Sequence, residues 1–314
     1  MKKQFDQLNK RVDWYRPNIS TELLKEFHMR NNKIALTHIG LHIIILIALG
    51  VLTLYSFNIS LFLFFISLLI FGCAFNFLGF NGASHELSHK SVFTNEKVNN
   101  FFYYLFCFLL WNNPFIYKKS HYIHHRCSLH EHCDGEINAA SRVNYRVVLN
   151  GIINIEGISR KIYFHVFNFF GLVKGEWPNA IFENQEKDKI KIIKWSRFLI
   201  IGHSIIAVLF LFNDMPILIL IVNFGHFFGN LPNLILSRGQ HNLMPMNRLD
   251  FRENTRTVKL NPVLEFFYWN MNYHIEHHMF PKIPFYNLKK IHTYLMNDMP
   301  ESTKGIYSLT SKLL

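Results

Sequence analysis

Eight of the eighteen histidines fall in three short clusters: His85-Glu86-Leu87-Ser88-His89, His121-Tyr122-Ile123-His124-His125 and His274-Ile275-Glu276-His277-His278. On a helix, residues three or four apart share a face, so each cluster can present two or three imidazoles to a common point. One such pair is weak evidence for a metal site, because solvated or core histidines produce it by chance. Two HxxHH clusters behind an HxxxH cluster are a stronger signal. Eight neutral nitrogen ligands without clustered carboxylates suit a borderline metal such as iron, zinc or copper, and eight are too many for one ion. A two-metal site is the expectation.

The elements that position these clusters are read from composition and charge. Half of the 314 residues are apolar, with 32 Phe among them, and this mix points to a membrane protein. No charged residue occurs between Ile34 and His85, and Asp214 is the only one between Phe198 and Ser237. A spanning helix needs about 20 apolar residues, so each stretch has room for two helices and a tight turn. Spans are predicted near Ile34–Tyr55, Ile59–Phe80, Phe198–Phe212 and Pro216–Leu236. The turns near Ser56-Phe57-Asn58 and Asn213-Asp214-Met215 carry no Lys or Arg, and neither do the spans, so all 33 basic residues fall on one side. The positive-inside tendency makes that side cytoplasmic, with both termini inside. Residues 1–33 are polar and no small-residue cleavage site follows the first span, which therefore reads as an anchor and not as a removed signal.

The expected fold is an all-α membrane protein of one domain. An N-terminal segment (1–33) leads to a transmembrane hairpin (34–81), a cytoplasmic cap segment (82–196), a second hairpin (197–236) and a further cap segment (237–314). The cap holds the histidine clusters. Phe101–Trp111 is too short to cross, only about 17 Å as a helix, and Asn112-Asn113-Pro114 ends it. A re-entrant or interfacial helix is predicted near 101–117. Val147–Ile155 and Ile162–Leu172, flanked by basic residues, are predicted to be amphipathic helices on the membrane surface. Trp111 and Trp195 fall where interfacial aromatics are expected. Gly225-His226-Phe227-Phe228-Gly229 is a GxxxG pattern that allows close approach of another helix, from this chain or a second subunit.

The net charge of +12 suits a face beside anionic lipid, and could also dock an acidic electron carrier. There is no basic tail, helix-turn-helix or zinc-finger pattern, so nucleic acid is excluded as a partner. Four cysteines facing a reducing compartment are expected to be free thiols. Cys127 and Cys133 bracket His130 and His132, and a small zinc site is conceivable there although the spacing matches no common pattern. His38, His42, His203 and His226 lie in the spans, where neutral rings bonded to neighbouring helices explain them as well as any function does. Asp250, Arg252 and Arg256 stand before the third cluster, either bridging the cap or touching a polar head group.

The run Asn272-Tyr273-His274-Ile275-Glu276-His277-His278-Met279-Phe280-Pro281, followed by Ile283-Pro284 and Tyr286-Asn287-Leu288, resembles the third histidine box of integral-membrane fatty acid desaturases. His85–His89 and His121–His125 resemble the first and second boxes in type, order and spacing. The likeness extends over roughly residues 80–290 and includes Asp134 and Glu136, where this family has a short acidic motif. It implies a non-haem di-iron centre held by His85, His89, His121, His124, His125, His274, His277 and His278. Relatives add a ligand between the last span and the third box, and His241 of Gln240-His241 is the match. The first box has HxxxH spacing, unlike the HxxxxH of stearoyl-type acyl-CoA desaturases, which leans toward another substrate.

The resemblance further implies two iron ions, O₂ as co-substrate and a lipid or fatty-acyl substrate in the bilayer. No haem-binding HPGG motif of a fused cytochrome b5 domain is present, so an external donor such as ferredoxin or cytochrome b5 with its reductase is expected. The expected reaction is introduction of a double bond, with a hydroxylase or ketolase of a lipid or other hydrophobic metabolite as the alternative on the same scaffold. A remote rival reads His85-Glu86-Leu87-Ser88-His89 as the HExxH of a membrane zinc metalloprotease, which leaves both HxxHH clusters without a role.

Overall fold

The structure is a computed structural model and describes residues 5–136 and 142–314. It is mostly helical. A short helix α1 (Thr21–Phe27) precedes α2 (Asn32–Phe57) and α3 (Leu61–Asn76), which form an apolar hairpin. Helices α4 (Ala83–Ser88), α5 (Glu96–Leu109) and α6 (Pro114–Cys127) follow, then α7 (Tyr145–Ile152), α8 (Ile155–Phe169) and α9 (Glu176–Ile181). The long α10 (Glu186–Phe212) leads through a π-helical turn (Ile219–Asn223) and a 3₁₀ turn (Gly225–Phe227) into α11 (Leu231–His241). The remainder is α12 (Phe251–Asn254), α13 (Pro262–Phe267), α14 (His274–Met279), α15 (Phe285–Leu295) and α16 (Gly305–Leu313). Two-residue strands β1 (Val258–Lys259) and β2 (Thr303–Lys304) pair in parallel.

Asparagine begins many of these helices. The side chains of Asn31, Asn95, Asn113, Asn144, Asn154 and Asn261 each accept a backbone N–H in the first turn of α2, α5, α6, α7, α8 and α13. A capping carbonyl of this kind satisfies donors the helix itself leaves open. Asn113 thus starts α6 where the Asn-Asn-Pro run was expected to end the preceding helix.

Among the described residues two helices are long and apolar enough to cross a membrane, one containing α2 and the other α10. Helices α2 and α10, of 26 and 27 residues, are each near 40 Å long at ~1.5 Å per residue, against a hydrocarbon core of ~30 Å. Ile44, Ile47, Val51 and Tyr55 of α2 and Phe198, Ile201, Ile205 and Phe212 of α10 point outward, as lipid-facing side chains would. Helix α3 is apolar but has only 16 residues.

The span expected at Pro216–Leu236 is not a continuous helix. Its GxxxG pattern meets α3 of the same chain, but through an opened backbone and not by a helix crossing. A Cβ on Gly72 would strike the Phe228 carbonyl, and one on Gly229, which sits at φ +62°, would strike that of Leu69. Contact this close opens the ladder, and the freed groups find partners elsewhere. Asn154 N–H donates to Phe227 O at 2.7 Å, Gly229 N–H to Ile152 O at 3.0 Å, and the Asn76 amide to Phe228 O at 3.3 Å. Irregular backbone in apolar surroundings requires such protein partners.

Several polar residues of the apolar segments are structural. His42 bonds the Ala74 carbonyl at 3.0 Å, and His203 that of Phe108 at 3.0 Å. Helices α7 and α8 form where amphipathic helices were expected, with Tyr145, Leu149, Ile155, Tyr163 and Phe170 exposed. Trp195 is turned inward, its indole N–H donating to Asn112 O at 2.8 Å.

Candidate metal centre

Helices α4, α6, α11 and α14 converge so that the nine histidines read as metal ligands in the sequence meet in one cluster. The cluster has two parts. The ring nitrogens of His85, His89, His121, His125 and His277 lie within 4.8 Å of one another, as do those of His124, His241 and His278. His274 joins the second part, its Nε2 lying 3.0 Å from that of His241 and 3.2 Å from that of His278. Helical geometry explains the division. His121/His125 and His274/His278 are i,i+4 pairs, and each stays together on one face. His124 and His277, three residues into their boxes, cross to the other group.

The rings are aimed from behind. His124 Nδ1–H donates to Asp134 at 2.9 Å, and the same carboxylate accepts the N–H groups of Leu129 and Glu136. His121 Nδ1 faces Glu136 at 3.3 Å. His85 Nδ1–H donates to the Phe80 carbonyl at 3.1 Å beside the Tyr117 hydroxyl. His241 donates to Asn254 O at 3.1 Å, and His278 to the Ser128 hydroxyl at 3.1 Å. His277 Nδ1 lies 3.0 Å from the fully buried Glu86 carboxylate, off the line of a hydrogen bond. Glu276 anchors α14 to its neighbours through His292 at 2.6 Å and Thr257 at 2.8 Å.

Nδ1 of His85, His121, His124, His241 and His278 is occupied outward, whereas that of His125, His274 and His277 has no hydrogen-bond partner, and across the cluster the Nε2 atoms point at one another. His85 and His277 approach to 2.8 Å, and His121 comes within 3.0–3.1 Å of His85, His89 and His125. Acceptors facing acceptors in a buried site repel unless a cation lies among them, and metal-bound histidine shows this outward-donating pattern. Burial keeps the rings unprotonated. His277 and His241 are pushed down to about 3, and His85, His89, His121, His125, His274 and His278 also fall well below the ordinary imidazole range. A metal needs this neutral form. His124 differs. Burial lowers it, but Asp134 outweighs burial and holds its proton at Nδ1. The donor set therefore fits borderline metal ions in two adjoining positions.

The sequence did not point to Tyr117, Ser128 or Asn254 as supports. Tyr117 could have been found one turn before His121, whereas Ser128 and Asn254 carry no local signal. The expectation for the cysteines is overturned: Cys127 and Cys133 form a disulfide, with Cα atoms 6.2 Å apart. Leu129 and His132 both take positive φ, folding the chain back at the end of α6. No zinc site forms there. His130 contacts the Ser128 carbonyl at 3.2 Å and His132 lies 3.5 Å from Asp6. Cys73 and Cys107 are free. Asp250, Arg252 and Arg256 prove to be bracing residues. Arg252 pairs with Asp250 at 2.7 Å and Asp298 at 2.6 Å, and Arg256 donates to Asn242 O at 2.6 Å.

One cavity opens onto the cluster and a second borders the first. One of about 530 Å³ is polar and is walled by His85, His121, His124, His241 and His274 together with Asn81, Arg238 and Gln240. The other, about 720 Å³, is apolar and lies between Ile116, Tyr163, Phe164 and Pro178. Phe80, Tyr117 and Arg160 line both.

No curated protein matches the chain. The family model described as fatty acid desaturase matches residues 59–310, a range that contains all three histidine boxes and both cavities, and the chain belongs to the fatty acid desaturase family.

Proposed function

We propose that the protein is an O₂-dependent membrane oxidoreductase that introduces a double bond into a fatty-acyl or similar lipid chain, with two irons held by the nine histidines. His85, His89, His121, His125 and His277 would hold one ion, and His124, His241, His274 and His278 the other. Iron bound there supplies oxidation of an unactivated C–H bond. The chain's own part is positional. Asp134, Glu136, Tyr117, Ser128 and the Asn254 carbonyl fix ring orientation. The Phe80 and Tyr117 rings, stacked with centroids 3.6 Å apart, form the wall between the histidines and the apolar cavity. A flexible hydrocarbon in that cavity would be held straight and dry beside the metals, and water would be displaced from the reacting carbon.

The observation that carries this reading is the convergence of nine imidazoles, five of them anchored at Nδ1, with a cavity large and apolar enough for a lipid chain beyond Phe80 and Tyr117. Hydroxylation or ketone formation on the same scaffold is the second reading, because substrate placement decides between them. The protease reading is disfavoured by Glu86, which is fully buried against His277 and lines neither cavity.

In the same proposal the chain crosses the membrane through the α2–α3 hairpin and through α10 with the broken 216–236 segment. The cap is cytoplasmic and receives electrons from a separate ferredoxin or cytochrome b5. The placement of basic residues supports that orientation. The Cys127–Cys133 disulfide pulls the other way, since reducing compartments disfavour disulfides. Cysteine-accessibility labelling from each side of the membrane tests orientation. Expression with a compatible reductase in a host of simple lipid composition, followed by mass spectrometry, tests the reaction. New double bonds support desaturation, new hydroxyl or keto groups support the second reading, and one zinc per chain in place of two irons refutes both.

A further inference from the structure

We propose that Glu86 is a positioning residue of the metal centre: its carboxyl accepts the Nδ1–H of His277 when the five-histidine half is loaded, and so sets the affinity of that half for its metal. This rests on the two-metal reading of the cluster but goes beyond it, because Glu86 stands outside both groups of rings and lines neither cavity.

The histidine boxes carry two buried glutamates, and their surroundings differ. Glu276 of the third box is satisfied, by His292 at 2.6 Å and Thr257 at 2.8 Å. Glu86 of the first box is as deeply buried, yet neither of its carboxyl oxygens has a hydrogen-bond partner. A polar group left in this condition costs its full desolvation. Across from it, Nδ1 of His277 is buried and equally without a partner, 3.0 Å from Glu86 Oε1. The distance is that of a hydrogen bond, and only the direction is wrong. A cation on Nε2 polarises an imidazole and strengthens its Nδ1–H as a donor, which is how a carboxyl behind a ligating ring comes to hold it in place.

Helix α4 meets both ends of the His277 ring. His85 and Glu86 are consecutive residues, and His85 Nε2 approaches His277 Nε2 to 2.8 Å while Glu86 stands behind Nδ1. His277 comes from α14, so the contact joins the first box to the third. Burial raises the Glu86 carboxyl well above the usual carboxylate range, and the Phe285 backbone and Ser91 hydroxyl oppose this more weakly without reaching hydrogen-bond geometry. Either form of the carboxyl keeps an oxygen that can accept from His277, so the role does not depend on its titration. Two other rings already have a carboxyl at the same place, His124 with Asp134 and His121 with Glu136.

The test uses the full-length protein in nanodiscs, stripped of metal and titrated with cobalt(II) against a fluorescent metal indicator at a single pH. Wild type is expected to take up two ions. Glu86→Leu, similar in size but without an acceptor, is expected to weaken one of the two by about 10–100-fold and to leave the other unchanged. In an H121A/H125A background, where only the four-histidine position remains, Glu86→Leu should change nothing. Glu86→Gln, which keeps an accepting oxygen, should recover most of the lost affinity. Equal weakening of both ions, a loss that persists in H121A/H125A, or no recovery with Gln overturns the proposal, because each is what a merely structural role would give. A second readout needs no variant at position 86. Zinc-loaded protein labelled with ¹⁵N-histidine is expected to show a downfield, slowly exchanging Nδ1–H signal for His277, assigned with His277→Asn, and its absence from the loaded wild type also overturns the proposal. Fewer than two cobalt ions in wild type refutes the two-metal reading and the role of Glu86 with it. Two ions with no selective loss in Glu86→Leu refutes the role of Glu86 alone.

Discussion

The two halves of the histidine cluster are built differently. The five-histidine half takes both rings of the first box, the i,i+4 pair of the second and one ring of the third. The four-histidine half takes the i,i+4 pair of the third box, one ring of the second and His241 from α11. Boxes two and three thus each serve both halves, and neither half is complete without three separate chain segments. The supports differ as well. His124 in the smaller half is locked by a 2.9 Å contact to a carboxylate that also accepts two backbone N–H groups, whereas the 3.3 Å contact from His121 to Glu136 is looser. The lesson is that adjacent residues on one helix can belong to different groups of rings, because a 100° step along the helix turns them to different sides.

The largest expected effect separates those neighbours. Replacing His121 and His125 together, or His124 and His278 together, should abolish turnover in both cases yet leave about one metal equivalent per chain, in the untouched half. Metal analysis with Mössbauer spectroscopy reads this out, and loss of both ions from either double variant would merge the two halves into one site. Next in size is the order of metal release. The four-histidine half has fewer protein ligands, so a chelator should empty it first, giving a biphasic loss whose slow phase disappears in H121A/H125A. A single-phase loss in wild type would remove the distinction.

Supports should have smaller effects than ligands. Asp134→Asn is expected to weaken metal binding about 10–100-fold, with Glu136→Gln falling below that range because its contact is longer. Competition titration with a metal indicator compares the two, and equal losses would mean that support strength does not follow geometry.

The smallest effect treats the halves alike. Burial pushes His277 of one half and His241 of the other down to about 3. Unfolded histidine protonates near pH 6.5, so below that pH the unfolded state binds more protons and the metal-free protein loses stability as pH falls. Replacing either ring with Asn should flatten the acid limb of the melting curve by up to about 1.4 kcal/mol per pH unit, by the same amount for each half. Melting of the metal-free protein between pH 7 and 5 checks this, and an unchanged slope would show that these rings do not stay neutral in the fold.

Much of the site was legible because it depends on short spacings. Helical periodicity puts the rings of each box near a common point but does not separate His124 from His121 and His125 or His277 from His274 and His278, and the acidic pair Asp134 and Glu136 was visible downstream of the second box through the family likeness. His241 came only through family likeness, since one histidine at the end of a helix has no spacing to read. The basic residues between His241 and the third box invited a head-group role, yet Arg252 and Arg256 brace the cap.

By itself, the sequence determined the apolar segments, the helical placement of the boxes and the neutral nitrogen character of the donors, because each follows from residue type and from periods of three to four residues. The tertiary structure alone decided which rings of the boxes group together, that 216–236 opens where Gly225 and Gly229 press on α3, and that Cys127 meets Cys133. These depend on contacts between residues distant in the chain, or on a turn whose left-handed Leu129 and His132 no local preference announces.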